Sequence, residues 1–580
     1  MSRNLMKRKS IALLSTILAG AIVLTGCGTK KDDTKQANDA AKTVKANEVK
    51  KATDASKLPQ VAKDRKDTLI VGGTAPKGKF NPLYADSSYD QYIVSLIFES
   101  LISNDAQGNP TPALAKEWKI SDDGKTYTFT LVDGAKFSDG TEVTADDVAF
   151  TYTSFCDPKY DGPRVDAVEK LQGYKEYKEG SATSVSGIKV IDKKTISFTL
   201  NEVKGPGIYD FGYGILPKAV YNFEKGNIQK IKDSFNKPVG AGPYKFVEFK
   251  QGESVSLEKN DNFYKGAPKI AKIIYKVTND KTNVQELSAG QVDINQVTAN
   301  ANTVKMVQAA GFLDQQIFSA NSYSYIGLNT RLPMFSDKKV RQALMYGLRR
   351  DEFVNSYYQG YASVANTHNA PTSWVEPTGI NEYKYDVDKA NKLLDEAGWK
   401  MNDSTKIREK DGKPFEIHWL ATSDNKMMES LIPIVKEDWK KLGINVITDM
   451  LDFNTVVEKV YDKQDFQMYA MSWSLSTDPD PSGIFAKSQD ALGGNNSVGW
   501  HPDKSEELLK KGMGTTKLDE RKAAYQEWSK LINDEVPYLF ISNPKWVWAV
   551  SSRVKGMEIS AFRDWTYDIY KVELTDPTAK

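Results

Sequence analysis

Cysteine and histidine are the scarcest informative residues of this 580-residue chain, which has two of the first and three of the second. Two thiols, Cys27 and Cys156, are too few to staple a disulfide scaffold. The histidines, His368, His418 and His501, stand far apart with no metal-ligand spacing of the His-Glu-x-x-His kind, so no metal site is expected. A Gly-x-Ser-x-Gly elbow, a phosphate loop and a catalytic cysteine pairing are also missing. Gly72-Gly73 lacks the later glycine of a dinucleotide fingerprint and reads as the end of a strand. Paired carboxylates are so frequent in a chain with 76 Asp and Glu that they single out no glycosidase pair. Neither an enzyme nor a cofactor is expected. Charge of one sign is lacking too, because the formal net charge is only +2. Nucleic-acid binding requires a concentrated Lys/Arg surface, and here both signs are mixed throughout. Long apolar runs are absent: residues 11–24 fall short of the roughly 20 needed to cross a bilayer. The mean hydropathy of −0.51 is that of a soluble globular protein. No repeat recurs at the roughly 20–50-residue periods of solenoids.

What the N-terminus does hold is a basic stretch (Arg3, Lys7, Arg8, Lys9), the short apolar run, and then Leu24-Thr25-Gly26-Cys27. This order resembles the leader and lipobox of bacterial lipoproteins, in which the cysteine is lipidated and becomes the new N-terminus. The competing reading is an ordinary secretory signal with a chance cysteine. The thiol sits where the small-residue cleavage site must fall, which favours lipidation of Cys27. A diacyl anchor supplies the two chains that stable attachment needs, so the mature chain is expected to be anchored to the membrane without spanning it. Residues 1–27 carry four positive charges and no acid, so their removal turns the net charge from +2 to −2. From Gly28 to about Lys66 the chain is rich in Lys, Asp, Ala, Thr and Gln and poor in large apolar residues, which reads as a flexible tether. The remaining roughly 510 residues exceed what one core usually holds, so two or three lobes are expected.

The folded part opens on an apolar strand, Asp67-Thr68-Leu69-Ile70-Val71-Gly72-Gly73. A helix follows over 92–101, where Ile93, Leu96, Ile97 and Leu101 recur at helical spacing. Tyr127, Phe129 and Leu131 alternate with threonines, as a half-buried strand requires. Thr144 with Asp147 forms a capping-box pattern, which starts a helix carrying Val148, Phe150 and Tyr152 inward. Ile188, Val190, Ile196, Phe198 and Leu200 predict a hairpin turning near residues 192–194. This region is expected to be an α+β lobe with a meandering sheet.

The same stretch carries a resemblance. Ala115-Lys116-Glu117-Trp118, Ser121-Asp122-Asp123-Gly124, Tyr127-Thr128-Phe129, Lys136-Phe137-Ser138-Asp139-Gly140 and Thr144-Ala145-Asp146-Asp147-Val148 resemble, in order, the signature of bacterial extracellular solute-binding proteins of family 5. Val239-Gly240-Ala241-Gly242-Pro243-Tyr244, Asn262-Phe263-Tyr264, Gly290-Gln291-Val292-Asp293-Ile294, Val340-Arg341-Gln342-Ala343-Leu344 and Leu393-Leu394-Asp395-Glu396-Ala397-Gly398-Trp399 extend the match through nearly all of the folded chain. The resemblance implies an α/β fold, two-lobed and periplasmic-binding-protein-like (class II, cluster C), with an extra N-proximal α+β lobe. It implies lobe I at about 60–104, 229–318 and 549–580, the extra lobe at 105–228, and lobe II at 319–548. Hinge segments are expected near 323–329 and 543–550.

The family's oligopeptide- and dipeptide-binding members suggest where ligand contacts fall. Asp86, Ser87, Ser88 and Tyr89 align with a loop whose backbone pairs with bound peptide. Trp473 aligns with a cleft Trp, with Ser472 and Ser474 beside it as candidates, and an acid shortly after that Trp can receive the peptide's amino group. Position 476, where the enteric binders have the first acid, is serine here, so Asp478 is the candidate. A turn before Pro479 explains Asp478 equally well. Asn496, Tyr538 and Phe540 are further candidates, with core packing as their alternative role. Ten of the eleven tryptophans lie between Trp374 and Trp565, consistent with an aromatic-rich second lobe or simply a larger core.

The resemblance thus implies an extracytoplasmic, lipid-anchored receptor that closes two lobes on an oligopeptide and delivers it to an ABC permease of two membrane subunits and two ATPases. Membrane contact is expected through the lipid only, and a monomer is the default because each lobe must move freely against the other. Alternatives are another small solute (a dipeptide, a nickel chelate, a sugar) or a lipoprotein that senses a peptide pheromone without importing it.

Overall fold

The computed structural model describes residues 47–375, 377–423 and 425–576. The lipidation reading at Cys27 and the tether over 28–46 lie outside the described residues.

The remainder of the expected tether is ordered. Strand β1, Asn47–Lys50, pairs antiparallel with residues 315–318, and Gln60–Asp64 forms a short helix. Ala52 N donates to Asp314 Oδ1 at 2.7 Å, Leu58 and Ala62 are buried, and Arg65 meets Asp293 at 3.2 Å. The tether reading to Lys66 is corrected at this point. A polar segment needs little apolar area when an open strand edge and buried ion pairs receive it.

Strand β2, Thr68–Gly73, ends at glycine because a Cβ on Gly73 would lie 2.0 Å from Tyr275 Oη. Helix α1, Ser88–Ile97, starts four residues earlier than its apolar spacing suggests, since Ser87 caps it by accepting from Asp90 N at 3.1 Å. Four strands then form a separate sheet: β3 (Ala115–Ile120), β4 (Thr126–Leu131), β5 (Ile188–Asp192) and β6 (Thr195–Thr199), ordered β3-β4-β6-β5. Tyr127, Phe129 and Leu131 are buried as their alternation requires, but on the edge strand β5 Val190 is exposed and Ile188 only half-buried. Helix α2, Ala145–Phe155, has the expected capping box of Thr144 and Asp147, with Val148 and Tyr152 buried and Phe150 half-buried.

The main sheet has thirteen strands. After β1 and β2 come β7 (Tyr244–Lys250), β8 (Ser254–Lys259), β9 (Lys272–Val277), β10 (Ile294–Val297), β11 (Leu313–Ser319), β12 (Ser322–Leu328), β13 (Ala362–Val364), β14 (Glu416–Thr422), β15 (Asn445–Leu451), β16 (Met468–Ser474) and β17 (Tyr538–Ser551). Its main path runs β15-β14-β16-β12-β17-β10-β2-β9-β8-β7, while β11 bridges β1 and β17, and β13 pairs with β17.

The fourteen-residue β17 belongs to both ends of this sheet. Its first half pairs with β12 and β13, and its second half with β10 and β11. One apolar core lies wholly within residues 323–541, while two others are built from residues 58–318 and 547–572. Each fully buried Leu, Val or Phe in them contributes about 1.5–3 kcal/mol. The chain passes between these cores in β17 and between β11 and β12. At the crossing Ala320 N donates to Pro544 O at 2.9 Å, and Asn543 Nδ2 donates to Ser322 O at 3.1 Å. The crossing thus lies at 320–322 and 543–545, and residues 323–329, expected as hinge, belong mostly to β12 in the second core.

Candidate ligand cleft

The α1 N-terminus is rigidly held. Asp90, fully buried, accepts from the backbone of Lys77 (3.1 Å), Gly78 (2.8 Å) and Lys79 (3.0 Å), and from the Ser87 hydroxyl. Asp86 sits between Lys77 (2.9 Å) and Lys79 (2.6 Å), whose hydrogen bonds hold its carboxyl below the usual carboxylate range. Asp86, Ser87 and Ser88 line a cavity of about 420 Å³, with Thr477 also in its wall. Tyr89 faces a neighbouring cavity of about 470 Å³ at the carboxyl ends of β2 and β9, and Tyr92 and Trp548 line both.

Strand β16, which lines neither cavity itself, carries Ser472 and Ser474 exposed and Trp473 half-buried. Trp473 Nε1 donates to Tyr538 Oη at 3.4 Å. β16 pairs with β12 along its whole length, but with β14 only through Met468 and Tyr469. Among the described strands, one backbone edge of residues 471–474 is therefore open. Two residues past Leu475, which donates its N–H to Asn321 O at 2.8 Å, the chain reaches Thr477 in the cavity wall.

Four candidates are placed differently from expectation. Asp478 is buried with both carboxylate oxygens taken by Arg521, Nη1 and Nη2 each at 2.7 Å, which leaves no free oxygen for a peptide amine. Arg521 packs in turn on Trp374 and Tyr525, and Tyr525 donates to Asp480 at 3.0 Å, so the Asp-Pro-Asp turn is a buried knot. Asn496 is buried and ties a loop, donating to Phe485 O (3.1 Å) and Trp500 O (2.9 Å). Tyr538 is buried and stacked on Tyr325 at 4.0 Å, and Phe540 is buried against Tyr323 at 5.3 Å. These last two support the strand beneath Trp473 and line neither cavity.

The cavity walls also hold residues that sequence reasoning missed: Arg164, Trp546, Trp548, Phe562 and Arg563. A signal existed for the tryptophans, since alternation along a strand puts Trp546 and Trp548 on one face. The C-terminal segment that brings Phe562 and Arg563 carries no comparable pattern. Of the histidines, His368 is buried against Tyr323 Oη at 3.1 Å, while His418 and His501 meet Asp449 and Asp490. Among the described residues no three His, Cys, Asp or Glu side chains gather to hold a metal, and no helix is long and apolar enough to cross a membrane.

The profile of the bacterial extracellular solute-binding proteins, family 5 Middle, matches residues 109–495. The chain belongs to this family. Its similarity to the oligopeptide-binding protein AppA of Bacillus subtilis (strain 168) is 32% identity over 98% of this chain and 99% of the relative. The solved structure of B. subtilis AppA in complex with a nonapeptide aligns with a TM-score of 0.71 at 31% identity, covering 88% of this chain and 99% of that one. NikZ from Campylobacter jejuni, solved in complex with Ni(L-His), gives 0.73 at 26% identity over 88% and 99%. Lactococcal OppA, solved with an endogenous peptide in the closed conformation, gives 0.72 at 25% identity over 87% and 99%. The fold is therefore that of a two-lobed class II solute-binding protein, and family 5 proteins bind substrates and do not turn them over.

Proposed function

We propose that this family 5 protein captures oligopeptides between its two lobes and delivers them to an ABC permease of two membrane subunits and two ATPases. In this reading a diacyl anchor on Cys27 holds the chain on the outer face of the membrane, lobe II comprises residues 319–548, and the chain acts as a monomer. The observation that carries the peptide assignment is the open backbone edge of residues 471–474, flanked by small, exposed Ser472 and Ser474 and running into the cavity wall at Thr477. An unpaired strand edge recognises what all peptides share, their alternating N–H and C=O groups. A ligand that touches both lobes favours the closed state through contacts absent when the lobes part. The solved relatives that hold a nonapeptide and an endogenous peptide support the same choice of cargo.

Titration with a backbone N-methylated peptide series tests the strand-pairing step. N-methylation at alternate positions is expected to weaken binding about tenfold or more, as each loses a hydrogen bond worth roughly 0.5–1.5 kcal/mol and adds a clash. Alanine replacement of single peptide side chains is expected to change affinity much less. Tolerance of N-methyl groups at every position would contradict the reading.

A further inference from the structure

Three N–H groups that are buried without an acceptor in the chain belong to residues lining the one 420 Å³ cavity: Arg164 Nε, Arg563 Nε and Trp548 Nε1. Native structures rarely leave such donors unmatched, and here they converge from separate parts of the chain. Both guanidiniums are already fixed in place. Arg164 Nη2 donates to Ala85 O at 2.7 Å and its plane lies over Tyr213 at 5.3 Å. Arg563 Nη2 donates to Asp568 Oδ2 at 2.7 Å and lies over Tyr567 at 5.4 Å. One edge of each fork is therefore engaged, and the Nε side is not.

Among the described residues Arg563 is ion-paired with Asp568, whereas Arg164 has no carboxylate partner. Asp86 is shared by Lys77 and Lys79, and Asp568 is shared with Lys571 at 3.2 Å. Asp564 accepts from Thr566 N (2.8 Å) and Oγ1 (2.6 Å). Burial pushes its carboxyl above the usual range, toward the neutral form.

We infer that Arg164 and Arg563, with Trp548 Nε1 beside them, form a carboxylate-binding subsite that makes this receptor select peptides bearing an acidic group. The inference rests on the peptide reading above. Planar guanidinium forks match carboxylate geometry, and a peptide offers that group in two places, its C-terminus and its Asp or Glu side chains.

Calorimetric titration of the full chain with one short peptide, made with an internal Glu or Gln and with a free or amidated C-terminus, separates the two sources. Whichever carboxylate enters the subsite is expected to improve affinity about tenfold over its uncharged counterpart. That ratio is expected to fall close to unity in Arg563→Gln and in Arg164→Gln, and to be partly kept in Arg563→Lys. Because the readout is a ratio within each variant, a general loss of stability does not mimic it. Equal binding of all versions by the unaltered protein, or a ratio that survives both Gln substitutions, would overturn the subsite while leaving peptide capture intact. Failure of every version to bind would instead overturn peptide capture, and the subsite with it.

Discussion

His368 has no free surface and no charged partner, so burial pushes its imidazole down to about 3, and it stays neutral across the physiological range. Tyr323 Oη faces its Nδ1 at 3.1 Å, and Phe485 and Trp528 pack on its ring. The unfolded chain regains the ordinary value of 6.5 and takes up a proton below it, whereas the native state does not. The stability His368 contributes is therefore complete above pH 6.5 and is lost as pH falls toward 3, with a slope of up to about 1.4 kcal/mol per pH unit. Urea unfolding at a series of pH values is expected to show a shallower acid decline in His368→Gln than in the unaltered protein. Asp478 presents a different case, a buried carboxylate held by both Nη atoms of Arg521. Asp478→Asn is expected to cost about 3–5 kcal/mol by stranding Arg521. It is expected to leave the ratio of affinities for free-amine and N-acetylated peptides unchanged, and a selective loss of free-amine peptides would restore Asp478 as the amine site. The acid after Trp473 was visible in the sequence, but its partner lies 43 residues further on, and nothing in either segment announces a pairing set by tertiary packing.

At the scale of elements, legibility followed the contrast between faces. β4 was readable because its buried aromatics alternate with threonines, and α2 because its capping box is a local code. β1 was not, because pairing with β11 uses only backbone groups and leaves Val49 exposed. The open edge of 471–474 was equally invisible: it depends on where β14 stops pairing, not on what β16 contains. Hydrogen exchange checks β1 directly. Alternate amides among residues 47–50, and that of Ala52, are expected to be protected, and Asp314→Asn is expected to weaken the protection at Ala52, which donates to that carboxylate. Exchange of all these amides at the rate of an unstructured chain would reinstate the tether as far as Ala52.

At the scale of the whole molecule, separate cores are joined by one long strand and one tight crossing, an arrangement suited to opening about residues 320–322 and 543–545. Ordered motifs along most of the sequence made the two-lobed fold legible, since they recur at the turns and caps that any such chain must form. The cavity was only half legible. The loop at Asp86 was found, but Ser472, Trp473 and Ser474 line neither cavity, and Arg164 and Arg563 reach the wall from the segment after α2 and the C-terminal segment through long-range packing. The central claim is that this cleft holds oligopeptides through their shared backbone. Native mass spectrometry of protein beginning at Gly28, compared before and after denaturation, tests it most directly. A heterogeneous set of co-purified short peptides, released on denaturation, is the predicted result, and a single discrete non-peptide adduct would contradict it.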